Sequence, residues 1–164
     1  MIAFKEWEVI CEALESGRQS IILRKGGIHE GREGFSFAHD EFLLFPTRFH
    51  AQGEYVTVPN VVAKPEWSIG DEVVIASRVR VNKAVTLTDW EEVAKLSDQH
   101  IWTEETIRDR FFWEGKGMAS GSIPMWRWRN SMSLSATPTK KSTGDVGVGL
   151  RFEDLAVNIE AGFL

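Results

Sequence analysis

The feature that most limits what this chain can fold into is the spacing of its β-rich stretches. They fall at residues 19–23, 41–45, 55–58, 72–87 and 123–129, and they are separated by turn signals and short helices. A parallel, doubly wound sheet requires a crossover helix between successive strands, and regular helices of that kind are missing from the pattern. The spacing predicts an α+β domain built on a curled sheet, mixed or mainly antiparallel, with an N-terminal helix packed on it and short helices after the central strands.

The N-terminal helix is expected over residues 2–15. Ala3, Phe4, Trp7, Ile10, Cys11 and Leu14 recur at three- and four-residue steps, with Lys5, Glu6, Glu8, Glu12 and Glu15 between them. Gly17 is placed to end it in a left-handed cap. Cys11, the one cysteine of the chain, sits on the apolar stripe and reads as a buried thiol. A single cysteine excludes an intrachain disulfide framework and a multi-cysteine zinc cluster. Residues 72–87 carry Val73, Ile75, Ser77, Val79 and Val81 on one parity, and a bend near Arg78 to Asn82 would make the stretch two strands. Thr88-Asp89-Trp90-Glu91 is a capping-box pattern for a helix to about Leu96, and Thr103 is placed to cap a helix over 104–112. After Asn130 the composition changes. Residues 131–149 are rich in Ser, Thr, Gly and Pro, and apolar residues return from Leu150 onward. The expected organisation is a domain over 1–130 followed by a flexible tail over 131–164 that docks weakly at its end.

The 164 residues carry 19 Lys+Arg and 24 Asp+Glu, a formal charge of −5. A net acidic chain does not bind nucleic acid through its overall field, so any such contact must be local. The local candidate is Ser16 to Arg32, where Arg18, Arg24, Lys25 and Arg32 stand against Glu30 alone, a local charge of +3. Arg24 and Lys25 end a strand and are followed by Gly26 and Gly27, whose backbone can approach an anion closely. The bland alternative is a solvated hairpin turn. The N-terminus carries four glutamates by position 15 and does not read as a signal peptide. No apolar run approaches the roughly 18 residues of a membrane helix. These features point to a cytoplasmic protein of bacterial style.

The histidines are His29, His39, His50 and His100. None has the paired helical spacing of a metalloprotease, and no metal or cofactor is expected. The only Glu-X-Lys, at Glu114-Gly115-Lys116, lies in a glycine-rich turn rather than on the strand a restriction-type nuclease uses. Seven tryptophans serve either as core or as stacking platforms for a planar ligand.

Ala3-Phe4-Lys5-Glu6-Trp7, the Gly17-to-Glu30 stretch, Phe45-Pro46-Thr47 with His50, and His100-Ile101-Trp102-Thr103-Glu104-Glu105 resemble a bacterial family of unknown activity, domain of unknown function 1802, over roughly residues 2–129. Some members of that family are associated with an Mrr-type nuclease domain, which implies a link to restriction or defence and a nuclease partner. At fold level, Gly17-Arg18 ahead of the first strand and Gly70-Asp71 ahead of a later one resemble the layout of PUA-like and ASCH-like small β-barrels. That resemblance implies a pocket for RNA or a modified base.

Three functions follow as expectations. The first is a nucleic-acid or nucleotide binding module. Arg18, Arg24, Lys25 and Arg78 contact phosphate, Gly26, Gly27 and Thr47 line the site, Trp102 or Phe45 stacks on a base, and His50 and Glu30 bond the ligand's edge. The second is a nuclease or nucleotide hydrolase using His29, Glu30 and His50. The third is a purely structural interaction domain whose tail recruits a partner.

Overall fold

The computed structural model describes residues 2–24, 41–68, 70–113, 121–133, 150–152 and 155–160. Among them are seven strands: β1 (Ile2–Trp7), β2 (Ile21–Leu23), β3 (Glu41–Thr47), β4 (Ser77–Leu87), β5 (Ile123–Ser133), β6 (Leu150–Phe152) and β7 (Leu155–Glu160). Helices α1 (Glu8–Glu15), α2 (Trp90–Ala94) and α3 (Glu104–Phe111) accompany them, with short 3-10 turns at Gln52–Tyr55 and Ser97–Gln99. The strands form one curled, unclosed sheet in the order β2-β5-β4-β3-β1-β7-β6. β1 runs parallel to both β3 and β7, and the remaining pairs are antiparallel. The fold is therefore α+β with a mixed sheet, as the spacing predicts. No helix among the described residues is long and apolar enough to cross a membrane.

The N-terminal element differs from expectation. Residues 2–7 form a strand, and the helix begins only at Glu8. The reason is that β1 is buried from both sides. Ala3 packs with Leu43, Phe45, Val73 and Ile75 in one apolar cluster. Phe4 faces the main core, edge-on to Phe42 at 4.8 Å. A short run that is apolar on both faces fits the helical and the strand period alike. Helix α1 then buries Val9, Ile10, Cys11, Ala13 and Leu14 and ends at Gly17, whose φ of 74° is the left-handed value expected there.

The 55–58 stretch is a second correction. It holds a 3-10 turn and a single bridge, Val56 to Trp102, instead of a strand. Of residues 72–87, only Ser77 onward is strand, and Val73 and Ile75 pack without regular structure over Leu43 and Phe45. The division into two strands expected from a bend near 78–82 is not found: β4 is one strand, and the irregularity there is two register shifts in its pairing with β5, between Ser77 and Val79 and between Val81 and Lys83. Thr103 caps α3, its hydroxyl accepting from Thr106 N at 3.2 Å. At α2 the cap is Asp89, which accepts from Glu91 N at 2.8 Å, and the helix stops at Ala94, short of Leu96. β5 continues across Asn130 to Ser133, and β7 pairs with β1 in the register Ala3 to Ile159.

Candidate functional site

β1 and β3 end side by side, with Trp7 opposite Thr47. Arg24 follows directly on β2, its backbone N–H donating to Pro124 O at 3.1 Å and its guanidinium lying 3.5 Å from Lys5 O. α3 brings Arg110 to the same end of the sheet, where its Nη1 donates to Leu23 O at 2.7 Å. The Arg110 guanidinium lies 4.6 Å from the Trp102 ring centroid and 5.4 Å from that of Trp7, within cation–π range of both. Trp7 packs in turn on Tyr55 at 5.5 Å and Phe49 at 6.0 Å. Below them the Glu6 carboxylate accepts from Trp7 N at 2.9 Å, and the Thr47 hydroxyl donates to Glu6 O at 3.0 Å.

Burial dominates the electrostatics here. It pulls the Arg110 guanidinium down to about 10, and the nearby Arg24 charge pulls the same way while Glu6 opposes both. Arg110 remains a cation at neutral pH. Among the described residues no carboxylate ion-pairs with it. His100, only 8% exposed, is driven down to about 4, first by burial and then by the Arg110 charge, so it is neutral at neutral pH. His100 Nδ1 and Trp102 Nε1 are both buried with no hydrogen-bond partner. A buried donor left unmet costs about 1–3 kcal/mol.

The structure distributes the residues expected from sequence over several places. Arg24, Thr47 and Trp102 come together at this end of the sheet. Trp102 is 2% exposed and Phe45 is buried in the second cluster, so neither ring offers a free face at the surface. Arg78 is ion-paired with Glu41 on β3, which also holds Arg80; hydrogen bonds from these arginines keep the Glu41 carboxyl below its usual range. Arg18 and His50 line a cleft of about 250 Å³ between α1 and residues 48–64. Within the cleft Glu8 lies 2.8 Å from Lys64 and 3.4 Å from Arg48. Lys25, Gly26, Gly27, His29, Glu30, His39 and the Glu114-Gly115-Lys116 turn lie outside the described residues. Cys11 is buried, and burial together with Glu6, Glu15 and Glu8 raises its thiol well above the usual range, so it stays protonated. Among the described residues no group of three or more His, Cys, Asp or Glu is placed to hold a metal.

Glu6, Trp7, Tyr55 and Arg110 were not singled out by the sequence pattern. Arg110 did carry a signal. It stands four residues after Thr106 and three after Ile107, on the face α3 buries, where a charged residue is unusual.

The fold and this site define a small α+β domain with a cationic, aromatic-lined end to its sheet. A family profile described as a domain of unknown function, DUF1802, matches residues 3–142. The chain belongs to that family. No curated protein matches the sequence. Among solved structures, ASCH from Zymomonas mobilis is similar at 11% identity, over 80% of this chain and 68% of that one, with a TM-score of 0.47. Two single-residue variants of ZmASCH from the same organism are also 11% identical. One covers 80% of this chain and 68% of its own at a TM-score of 0.48, the other 80% and 70% at 0.47.

Proposed function

We propose that this protein is a nucleotide or nucleic-acid binding module that holds phosphate at the Arg24–Arg110 end of the sheet. The observation that carries the reading is Arg110. It is a partly buried cation resting on the Trp7 and Trp102 rings, with its neighbour Arg24 close enough to depress it further. The Glu6 carboxylate offsets part of this charge, and a second cation beside Arg110 leaves the end favourable to an anion. Arginine suits phosphate because its planar fork matches two oxygens at once. In this reading Lys25, Gly26 and Gly27, which follow Arg24 in the chain, add a charge and backbone N–H groups to the same anion. Tyr55, 37% exposed beside Trp7, takes the stacking role in place of Trp102 and Phe45.

The test is titration of the protein with nucleotides, short RNA and short DNA at several salt concentrations. Arg24→Ala with Lys25→Ala weakens binding and flattens the salt dependence by about one unit of log–log slope for each phosphate contact removed. Wild-type protein that binds none of these ligands overturns the reading.

A further inference from the structure

We propose that the cleft between α1 and residues 48–64 is a second binding site, for a small monocarboxylate with an apolar body, and that Arg18 takes the carboxylate. The proposal is independent of the phosphate reading of the Arg24–Arg110 end.

The walls of the cleft decide the body of the ligand. Residues 57–68 carry no helix or strand and run past α1 as a strap. Thr57 N donates to Ile101 O at 2.7 Å, Trp67 Nε1 donates to Pro46 O at 2.8 Å, and Arg48 stacks on the Trp67 ring at 3.3 Å. Between these fastenings Val58, Val61 and Val62 line the cleft together with Val9 of α1. Val62 is 76% exposed, a valine that the protein itself leaves uncovered. The buried amide of the lining, Gln52, is engaged at both ends, by Val9 N and by Thr47 O. The walls therefore suit a short hydrocarbon better than a sugar. The space, about 250 Å³, lies below the roughly 300–1,000 Å³ of sites for drug-sized ligands, so the body is small.

Charge decides the head group. With His50 neutral, the lining holds Arg18, Arg48 and Lys64 against Glu8 and Glu12, one cation in excess. Glu8 lies between Lys64 at 2.8 Å and Arg48 at 3.4 Å, and Lys64 also reaches Glu12 at 3.6 Å. Arg18 is the cation left over. Its Nε donates to Ser16 Oγ at 3.0 Å, and among the described residues no carboxylate ion-pairs with it. One unmatched guanidinium balances one carboxylate, and its planar fork fits the two oxygens. Arg18 is exposed, so the head group sits at the mouth and keeps part of its hydration while the hydrocarbon lies against the valines. A dianion would reverse the excess of charge instead of cancelling it.

The experiment is amide NMR titration of the full chain with acetate, butanoate, hexanoate, hexanamide and inorganic phosphate. Hexanoate is expected to shift the Val9 and Val61 amides. Affinity should rise from acetate to hexanoate by up to about fourfold for each methylene buried. Hexanamide, which lacks the charge, should bind about fivefold more weakly than hexanoate, and Arg18→Gln should bring hexanoate to the same level, the most that an exposed ion pair supplies. Ala63→Trp, at an exposed position of the strap that lines the cleft, should fill the space and remove binding of every acid. Both substitutions change exposed side chains and leave the fold intact. No gain in affinity with chain length overturns the proposal, and so does equal affinity for hexanoate and hexanamide. Hexanoate binding that survives Arg18→Gln or Ala63→Trp unchanged overturns it, as does phosphate shifting the same amides more tightly than hexanoate. Failure of nucleotides and RNA to bind removes only the phosphate reading.

Discussion

Arg110 donates from Nη1 to the carbonyl of Leu23 at 2.7 Å, so a cation on α3 closes the end of edge strand β2. The same guanidinium rests on the Trp102 ring. Arg110 therefore serves the fold and the candidate site at once, and its substitution must be read in both.

Arg110→Lys keeps the positive charge but loses the planar fork and much of the ring contact. It is expected to lower stability by about 1 kcal/mol and to weaken phosphate binding. Urea unfolding reports the first effect and titration the second. Arg110→Met retains the apolar stem without the charge and should lower the log–log salt slope of binding by about one unit. A lysine variant indistinguishable from wild type in both measurements contradicts the bidentate role.

His100 sets a pH dependence. Its folded value, about 4, lies below the ordinary value of 6.5 that the unfolded chain keeps. Between those values the unfolded state binds more protons, so stability rises with pH through that window. The contribution is complete above about 6.5, is lost as pH falls toward about 4, and is flat below that; its size is on the order of 3 kcal/mol at most. Glu41, whose carboxyl is lowered by its arginine partners, also loses its contribution as pH falls. The comparison therefore needs a variant. Unfolding free energies at pH 7 and pH 4.5 should converge in His100→Leu relative to wild type.

Gln52 is an N-terminal cap supplied from a distance. Its Oε1 accepts from Val9 N at 3.3 Å in the first turn of α1, and its Nε2 donates to Thr47 O at 2.9 Å. Trp7, at the cap position, has no side-chain oxygen for the task. Gln52→Ala is expected to cost about 1–2 kcal/mol. Amide exchange at Val9 should accelerate more than exchange in β4.

Trp102 is a core residue. Trp102→Ala should lower stability by about 3–5 kcal/mol, the cost of emptying a large buried site. Trp102→Phe should lose markedly less. Thermal or urea unfolding of the two variants checks the order. A near-neutral alanine variant would mean that the ring is not packed as described.

What was legible in the residues was mostly local. The Thr103 cap starts α3, Gly17 ends α1 in the left-handed region, and Arg24 stands where β2 stops. Each of these depends on chemistry within a few positions, where side-chain caps and backbone freedom act directly. The absence of crossover helices likewise pointed to a mixed, curled sheet. Residues 2–7 were different. Ala3, Phe4 and Trp7 suit a helix as well as a strand, and only β3 on one side and β7 on the other, from more than a hundred residues away in the chain for the latter, decide for the strand. The site shows the same division. Arg24 is readable at a strand end, but its partner Arg110 looks like one more charge on a charged helix until α3 is laid over Leu23 and Trp102. Burial and proximity between distant segments turn an ordinary histidine, tryptophan and arginine into a neutral imidazole, an unmet indole N–H and a shielded cation. Those are properties of packing, and packing partners far apart in the chain leave no periodic trace in the order of residues.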